Sequence, residues 1–126
     1  MLALETIRGV RIVADPAGID SINAIDGAMV LRLAPDDAFV VLEGRLESVE
    51  IDAIIVEETG FVGCWLTPDE LAARVVPHID WALPADRPML VQGLVAGVPA
   101  KLWVESRRAL LLCAAPYAHE LAERLG

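Results

Sequence analysis

The alternation of apolar and polar residues is clearest in the middle of the chain, where it predicts a turn, a strand and a helix in direct succession. Phe61 to Leu66 form an apolar run with aromatic and β-branched side chains, a composition that favours a strand. Thr67 then has the chemistry of a helix N-cap, and Glu70 completes a capping box. Pro77 is expected to end the helix. The apolar positions at helical spacing are Leu71, Ala72, Val75 and Val76.

Upstream of this unit, the pattern predicts several strands and a hairpin. An edge strand is expected at residues 10–14, and residues 19–26 fit either a short helical turn or a surface loop. Two apolar runs at 28–33 and 38–42 are joined by Pro and Asp at turn positions, which predicts a hairpin. Residues 49–56 are the next predicted strand, which alternates at first and then becomes apolar on both faces.

Downstream of the helix, an irregular connection bounded by prolines leads to three more strands and a second helix. Met89 to Val95 and Val98 to Val104 are predicted strands around a tight turn, and Ala109 to Ala114 is the last strand. Pro116 is placed at the first position of the terminal helix, where its missing N–H is not needed. The apolar face of that helix is expected to comprise Tyr117, Leu121 and Leu125.

Together these elements predict an α+β fold, with a mainly antiparallel sheet and two helices on one face. The C-terminal two-thirds is interpreted as a split β-α-β unit of the ferredoxin-like kind. The upstream hairpin and third strand either extend that sheet or close part of a second one. At 126 residues, the chain is expected to be a single domain over residues 1–126.

The composition indicates contact with another protein chain. Hydrophobic residues make up 56% of the sequence, above the roughly 45–50% that is usual for a soluble domain. Surplus apolar surface usually meets another chain. The formal net charge of −9 disfavours nucleic acid and anionic membranes as partners. Because no apolar run reaches membrane length and no secretory signal is recognised, we expect a cytoplasmic protein.

Residues with catalytic or metal-binding chemistry are few and badly spaced for a site. His78 near Asp80, and His119, do not supply the three or four ligands that zinc needs. Cys64 and Cys113 lie in apolar strand patterns, which favours buried, inert thiols over a nucleophile. The sequence therefore predicts no catalytic residue and no metal site, and it leaves the cofactor-binding residues unknown. The tryptophans are Trp65, Trp81 and Trp103. Each is expected to be a core residue or, where its ring is exposed, a candidate anchor at an interface.

Three stretches resemble the gamma subunit family of heterotetrameric sarcosine oxidases. They are LRLAPDDAFVV at 31–41, GVPAKLW at 97–103 and ALLLCAAPYAHEL at 109–121. These are turn and packing motifs, and the related region would cover residues 28–125. That family is in turn similar in fold to the folate-binding region of the glycine-cleavage T-protein.

The resemblance implies an accessory subunit without flavin or catalytic residues. Such a chain would brace a larger flavoenzyme that demethylates sarcosine and passes the one-carbon unit to tetrahydrofolate. Flavin and tetrahydrofolate would then be bound by partner subunits, and the partner would be a larger flavoenzyme subunit or a second copy. Two alternatives remain: a stand-alone binding module for folate or another small acid, and a small enzyme that uses His78 or Cys64.

Overall fold

A computed structural model describes residues 1–23, 28–42 and 52–126. In these residues the chain forms two antiparallel sheets and three short helices, so the predicted α+β class is confirmed. The chain divides into two compact units. Unit 1 comprises Met1–Thr6 and Gly60–Gly126, and unit 2 comprises Ile7–Thr59. The expectation of a single domain stays a prediction.

The described elements are short and closely spaced. The strands are β1 (Glu5–Thr6), β2 (Gly9–Ala14), β3 (Ala28–Ala34), β4 (Asp37–Leu42), β5 (Ala53–Glu58), β6 (Phe61–Leu66), β7 (Met89–Val95), β8 (Val98–Val104) and β9 (Ala109–Ala114). The helices are α1 (Pro16–Asn23), α2 (Pro68–Glu70) and α3 (Ala118–Leu125). Helix α2 continues as a π turn, Leu71–Val75, and a 3-10 turn, Val76–His78, while another 3-10 turn, Ala115–Tyr117, precedes α3.

Unit 1 is built on a sheet whose described strands have the order β1-β6-β9-β8-β7. Leu71 and Val75, after α2, and Leu121 and Leu125, in α3, bury their side chains against one side of this sheet, in the same core as Leu111 of β9. Both predicted helices therefore cover the same face, as expected. We call this face the helix side of unit 1 and the opposite face the far side.

The connection between β6 and β7 differs in detail from the predicted split β-α-β unit. Two strands, β8 and β9, lie between β6 and β7, and each neighbouring pair is antiparallel. Strands β6 and β7 therefore run in opposite directions, whereas the two strands of a β-α-β unit are parallel. The connection at residues 79–88 is long enough for the chain to turn back after the helix and to enter β7 in the direction opposite to β6.

The start of α2 follows the predicted capping chemistry. The Thr67 hydroxyl accepts a hydrogen bond from the Glu70 N–H at 3.2 Å, and the Glu70 carboxylate accepts one from the Thr67 N–H at 3.1 Å. The end differs from the prediction, because Pro77 does not stop the helical turns. The backbone passes it within the 3-10 turn that ends at His78, and Ile79 is extended.

The terminal helix agrees with the prediction at two of three apolar positions. Leu121 and Leu125 are buried, but Tyr117 is exposed. The difference arises because Pro116 and Tyr117 belong to the preceding 3-10 turn, whose tighter winding moves Tyr117 off the apolar stripe of α3.

Unit 2 contains a sheet whose described strands have the order β3-β4-β2-β5, with α1 packed on one side. Ile19 and Ile22 of α1 share a core with Ile12 of β2 and Val40 of β4. The strand predicted at residues 10–14 is present as β2. Its predicted position at an edge is wrong, because β2 lies between β4 and β5. Residues 19–26 were expected to form a helical turn or a loop. The helix is present through Asn23, and residues 24–27 lie outside the described part.

The predicted hairpin of unit 2 is confirmed as β3 and β4, joined by a turn at Pro35 and Asp36. The predicted strand at residues 49–56 is found shifted, as Ala53–Glu58, while residues 49–51 lie outside the described part. In unit 1, β7 and β8 have the predicted bounds. Their turn places Ala96 at φ 50° and Gly97 at φ 77°, the left-handed backbone that two-residue hairpin turns use.

Candidate interaction surfaces

Two of the three tryptophans predicted as interface anchors lie together on the far side of unit 1. Trp65 of β6 and Trp103 of β8 are each paired in register with Leu110 of β9, so the rings flank Leu110 on one face of the sheet. Leu110 is fully buried, Trp103 is half-buried and Trp65 is 37% exposed. Trp65 therefore presents the most accessible ring of this pair.

A polar network fixes both rings. Glu105 accepts hydrogen bonds from the Trp103 indole at 2.9 Å and from Arg108 Nε at 2.8 Å. The Arg108 guanidinium in turn lies 3.7 Å from the centroid of the Trp65 ring, within the range of a cation–π contact. Burial alone would raise the pKa of Glu105, but the hydrogen bonds from Arg108 and Trp103 outweigh it and lower that pKa. The carboxylate thus stays charged and holds Arg108 over Trp65.

Trp81 occupies a different place. Its ring packs on the helix side, against the core of unit 1, and its indole N–H donates a hydrogen bond to the Leu94 carbonyl at 3.1 Å. A Cβ atom at Gly93 would lie only 3.0 Å from Trp81 Nε1, so glycine at this position leaves room for the ring. Trp81 therefore anchors the irregular connection to β7 and shares no face with Trp65 and Trp103.

A groove of about 210 Å³ lies in unit 1 between the start of α2 and the β8–β9 loop. Leu71, Leu83 and Val104 contribute apolar surface to its lining. The polar groups come from Arg87, Glu105, Ser106 and Arg108. Arg87 donates hydrogen bonds to the backbone carbonyls of Pro84 and Asp86. The groove thus combines an apolar wall with the Arg87 guanidinium and the Arg108–Glu105 ion pair.

Among the described strands, β5 has the largest group of exposed large apolar side chains, whereas Leu94 of β7, 57% exposed, stands alone in its strand. Ile54, Ile55 and Val56 are 67%, 45% and 53% exposed. Ile54 and Val56 lie on one face of the sheet, and Ile55 lies on the other, because strand side chains alternate. Val13 of β2, paired with Ile54, is exposed as well. We call Ile54, Ile55 and Val56 together the β5 apolar cluster.

The Arg11 side chain of β2 links β4 and β5, the two strands that flank β2 in the sheet. Its Nε and one terminal nitrogen donate to the two carboxylate oxygens of Asp37 at 2.8 and 2.7 Å, and the other terminal nitrogen donates to Glu58 at 3.0 Å. The hydrogen bond to Asp37 is the largest cause of a raised pKa at Arg11. The guanidinium therefore stays charged and links three strands.

The two cysteines carry free thiols in adjacent strands, β6 and β9. Burial, followed by the negative charge of Glu70, raises the pKa of Cys64 to about 11. Burial also raises the pKa of Cys113. Both thiols are therefore protonated at neutral pH, and a protonated thiol is a poor nucleophile.

The two histidines lie apart on the surface of unit 1. His78 is exposed at the end of the turns after α2, and its carbonyl accepts a hydrogen bond from the Ala96 N–H at 2.8 Å. His119 is exposed on α3, with its imidazole 3.4 Å from the Glu123 carboxylate. In the described residues, no group of three or more His, Cys, Asp or Glu side chains could hold a metal ion. No helix in that part is long and apolar enough to cross a membrane.

Comparison with known proteins gives a likeness among solved structures. No family model matches this sequence, and no curated protein matches it. Among solved structures, a chain of the heterotetrameric sarcosine oxidase from Corynebacterium sp. U-96, in complex with pyrrole 2-carboxylate, is similar to this chain. The TM-score is 0.73 at 12% sequence identity, over 97% of this chain and 79% of that chain. The two chains share a fold. The predicted resemblance to a sarcosine oxidase chain is thus confirmed at the level of the fold.

Sequence reasoning missed the polar residues that organise these surfaces. Glu105, Arg108 and Arg11 were not among the candidate residues that the sequence identified. A signal for Glu105 and Arg108 exists in hindsight, since a loop that returns a strand beside Trp103 and Trp65 also brings its charges to those rings. The Arg11 network has no such local signal.

Proposed function

We propose that this chain is a non-catalytic accessory subunit of a sarcosine-oxidase-like flavoenzyme complex linked to one-carbon metabolism. The observation that carries the proposal is the fold shared with a chain of a heterotetrameric sarcosine oxidase, which extends over 97% of this chain. A chain with this fold therefore occurs as one part of a larger oxidase. In the proposed complex, partner subunits bind the flavin and tetrahydrofolate.

The surfaces of the chain support a role in binding another protein. The β5 apolar cluster and Trp65 expose apolar side chains that folding within the chain does not cover. Exposed apolar patches and accessible aromatic rings are typical of interfaces. The Glu105–Arg108 pair also holds the Trp65 ring in a defined geometry, which reduces the ordering needed on binding.

The ionisable groups of unit 1 fit a bracing role better than a chemical one. Cys64, the best nucleophile candidate in the sequence, has its thiol stabilised in the protonated form, with a pKa of about 11. Glu105 and Arg108 are engaged with each other. These groups serve packing and positioning, and the reactive chemistry is assigned to the partner.

Affinity capture from the native cell tests the proposal. The tagged chain is used as bait, and the eluate is examined for flavin absorbance and for sarcosine-dependent oxygen consumption. We expect a co-eluting larger chain that carries flavin, and no activity from the tagged chain alone. A tagged chain that elutes without any flavin-containing partner, or that oxidises sarcosine by itself, contradicts the proposal.

The groove in unit 1 favours a second candidate, a stand-alone module that binds folate or another small acid. Arg87 and Arg108 line it beside apolar surface, and a bound carboxylate would compete with Glu105 for Arg108. The volume of about 210 Å³ is below the roughly 300–1,000 Å³ of usual ligand sites. Such a groove would hold a small acid, or only the acid-bearing end of a folate.

Tryptophan fluorescence tests the second candidate, because Arg108 contacts the Trp65 ring directly. Tetrahydrofolate is titrated into the isolated chain and into the variants Arg108→Gln and Arg107→Gln. Binding predicts a saturable change in the wild type, loss of that change in Arg108→Gln, and retention in Arg107→Gln, the matched control from the same loop. An unchanged wild-type spectrum removes this candidate.

A further inference from the structure

Strand β5 is the outermost described strand of its sheet. In the described residues it pairs with β2 on one side, over all six positions from Ala53 to Glu58. In an edge strand, alternate residues point their N–H and C=O groups away from the sheet, where another strand can pair with them. The β5 edge thus provides a backbone template of six residues.

Apart from its two terminal glutamates, β5 lacks the usual protection of an edge strand. Natural edge strands are commonly guarded by lysine, by proline or by a bulge. Strand β5 contains neither lysine nor proline, and its register with β2 is continuous from Ala53 to Glu58. The β5 apolar cluster exposes β-branched side chains on both faces, which is the arrangement that an added strand would cover.

Acidic residues flank the apolar cluster. Asp52 precedes β5 and is exposed, and Glu57 is exposed near its end. The ion pairs found among the described residues involve neither of them, whereas Glu58 is paired with Arg11. The net charge of the whole chain is also negative, at −9. The edge therefore combines an apolar centre with negative charge that no ion pair among the described residues compensates.

This charge pattern argues against a second copy as the occupant. In a two-fold antiparallel pair of β5 strands centred on Ile55, Asp52 lies opposite Glu58 of the other copy, and Glu57 lies opposite Ala53. Like charges directly opposite each other in a sheet are destabilising. Each copy also carries a net charge of −9, which adds long-range repulsion. A basic partner removes both problems.

We propose that the outer edge of β5 binds an extended segment of a partner chain by strand addition, and that this segment carries β-branched residues with lysine or arginine facing Glu57 and Asp52. Main-chain hydrogen bonds supply affinity in this mode, and the alternating side chains supply specificity. The inference rests on the proposed function, because it names how the accessory subunit is held by its partner.

A peptide titration tests the edge without the partner enzyme. The amide signals of the isotope-labelled chain are followed by NMR while a short peptide is added that has lysine at each end and four valines between, so that its lysines can lie opposite Glu57 and Asp52. A second peptide, with glutamate in place of lysine, is the control. We expect shifts at Ala53–Glu58 and in β2 with the lysine peptide, and binding weaker by about fivefold with the glutamate peptide. No shifts in β5, or equal binding of both peptides, overturns the inference.

A charge reversal sharpens the test. The variant Glu57→Lys is expected to invert the preference, so that the glutamate peptide binds more tightly than the lysine peptide. Asp80→Lys, in the exposed connection after α2, makes the same change in net charge and should leave the preference unchanged. An equal effect of the two variants means that only the overall charge matters and overturns the inference. Concentration-dependent shifts in β5 without any peptide would identify a second copy as the occupant and overturn it too.

Capture of the native complex separates this inference from the proposed function. The wild type and Glu57→Lys are used as bait in parallel, and hydrogen exchange is measured for the amides of β5 in the captured complex. We expect slowed exchange in β5 and several-fold less flavoprotein with Glu57→Lys. If both baits capture the same amount and β5 stays unprotected, the proposed function holds and the edge inference is wrong. If the wild type captures no flavoprotein, the proposed function is wrong, and the peptide titration still decides the edge.

Discussion

Strands β9 and β5 have the same length and a similar aliphatic composition, but their surroundings are opposite. Leu110, Leu111 and Leu112 of β9 are fully buried, whereas Ile54 and Val56 of β5 are more than half exposed. The cause is their position in the sheet. Strand β9 lies between β6 and β8 and is covered by helices on one side, while β5 has β2 as its neighbour in the described sheet. An apolar run thus predicts a strand, and the order of strands decides whether it is buried.

The largest expected difference between the two strands is the loss of stability when one side chain in each is shortened to alanine. Leu111→Ala removes buried side-chain volume and should lower the free energy of unfolding by about 3 kcal/mol. Ile54→Ala removes an exposed side chain and should change it by about 0.5 kcal/mol or less. Urea denaturation of both variants, with an unchanged denaturant slope, checks the difference. Equal losses would mean that β5 is as deeply packed as β9.

The next largest effect on stability is expected at Arg11, whose hydrogen bonds link β5 to the other strands of its sheet. Arg11→Gln removes the two-pronged contact with Asp37 and the bond to Glu58, and should lower the free energy of unfolding by about 1.5 kcal/mol. Hydrogen exchange in β5 should become faster. Arg8→Gln, at an exposed arginine of the same unit, serves as the control. Unchanged β5 exchange would show that Arg11 does not hold this strand.

A smaller effect on the free energy of unfolding is expected at the start of α2, the helix that leads into the turns covering β9. Thr67→Ala removes the cap that accepts from the Glu70 N–H and should lower the free energy of unfolding by about 1 kcal/mol. Thr59→Ala, at an exposed threonine just before β6, is the comparison. Thermal unfolding of both variants measures the difference, and similar melting temperatures would contradict a role for the cap.

The smallest effect is a dependence on pH. The hydrogen bond from the Thr67 backbone is the largest cause of a lowered pKa at Glu70. A carboxylate with a lowered pKa stabilises the fold above its unfolded pKa, and this contribution is lost as the pH falls through the folded pKa. The stability of the wild type relative to Glu70→Gln should therefore decline on acidification. Denaturation of both proteins across the acidic range tests this, and a difference that grows with falling pH would contradict it.

The parts of the fold that were predicted correctly depend on neighbours in the sequence. The bounds of β6 and the Thr67–Glu70 capping box follow from residues within a few positions of each other. The same holds for the β7–β8 hairpin, whose turn requires left-handed backbone at Ala96 and Gly97. Short-range sterics and hydrogen bonding decide such features, so a single sequence contains the needed information.

The parts that were not predicted depend on which strands meet. Strand β2 was expected at an edge, but it lies between β4 and β5, and its Arg11 contacts residues 26 and 47 positions away. The β5 apolar cluster was recognised as apolar on both faces, a pattern that also fits a buried strand. Only the sheet order distinguishes the two cases, and it is set by long-range pairing.

The placement of the cysteines has a practical consequence. Both thiols lie in adjacent central strands of unit 1, and the sequence contains no others. A protonated, shielded thiol reacts with an alkylating reagent chiefly when its surroundings open. Because Cys113 is buried and Cys64 is half-buried, the modification rate of Cys113 reports the transient opening of unit 1, in the unaltered protein and without an engineered label.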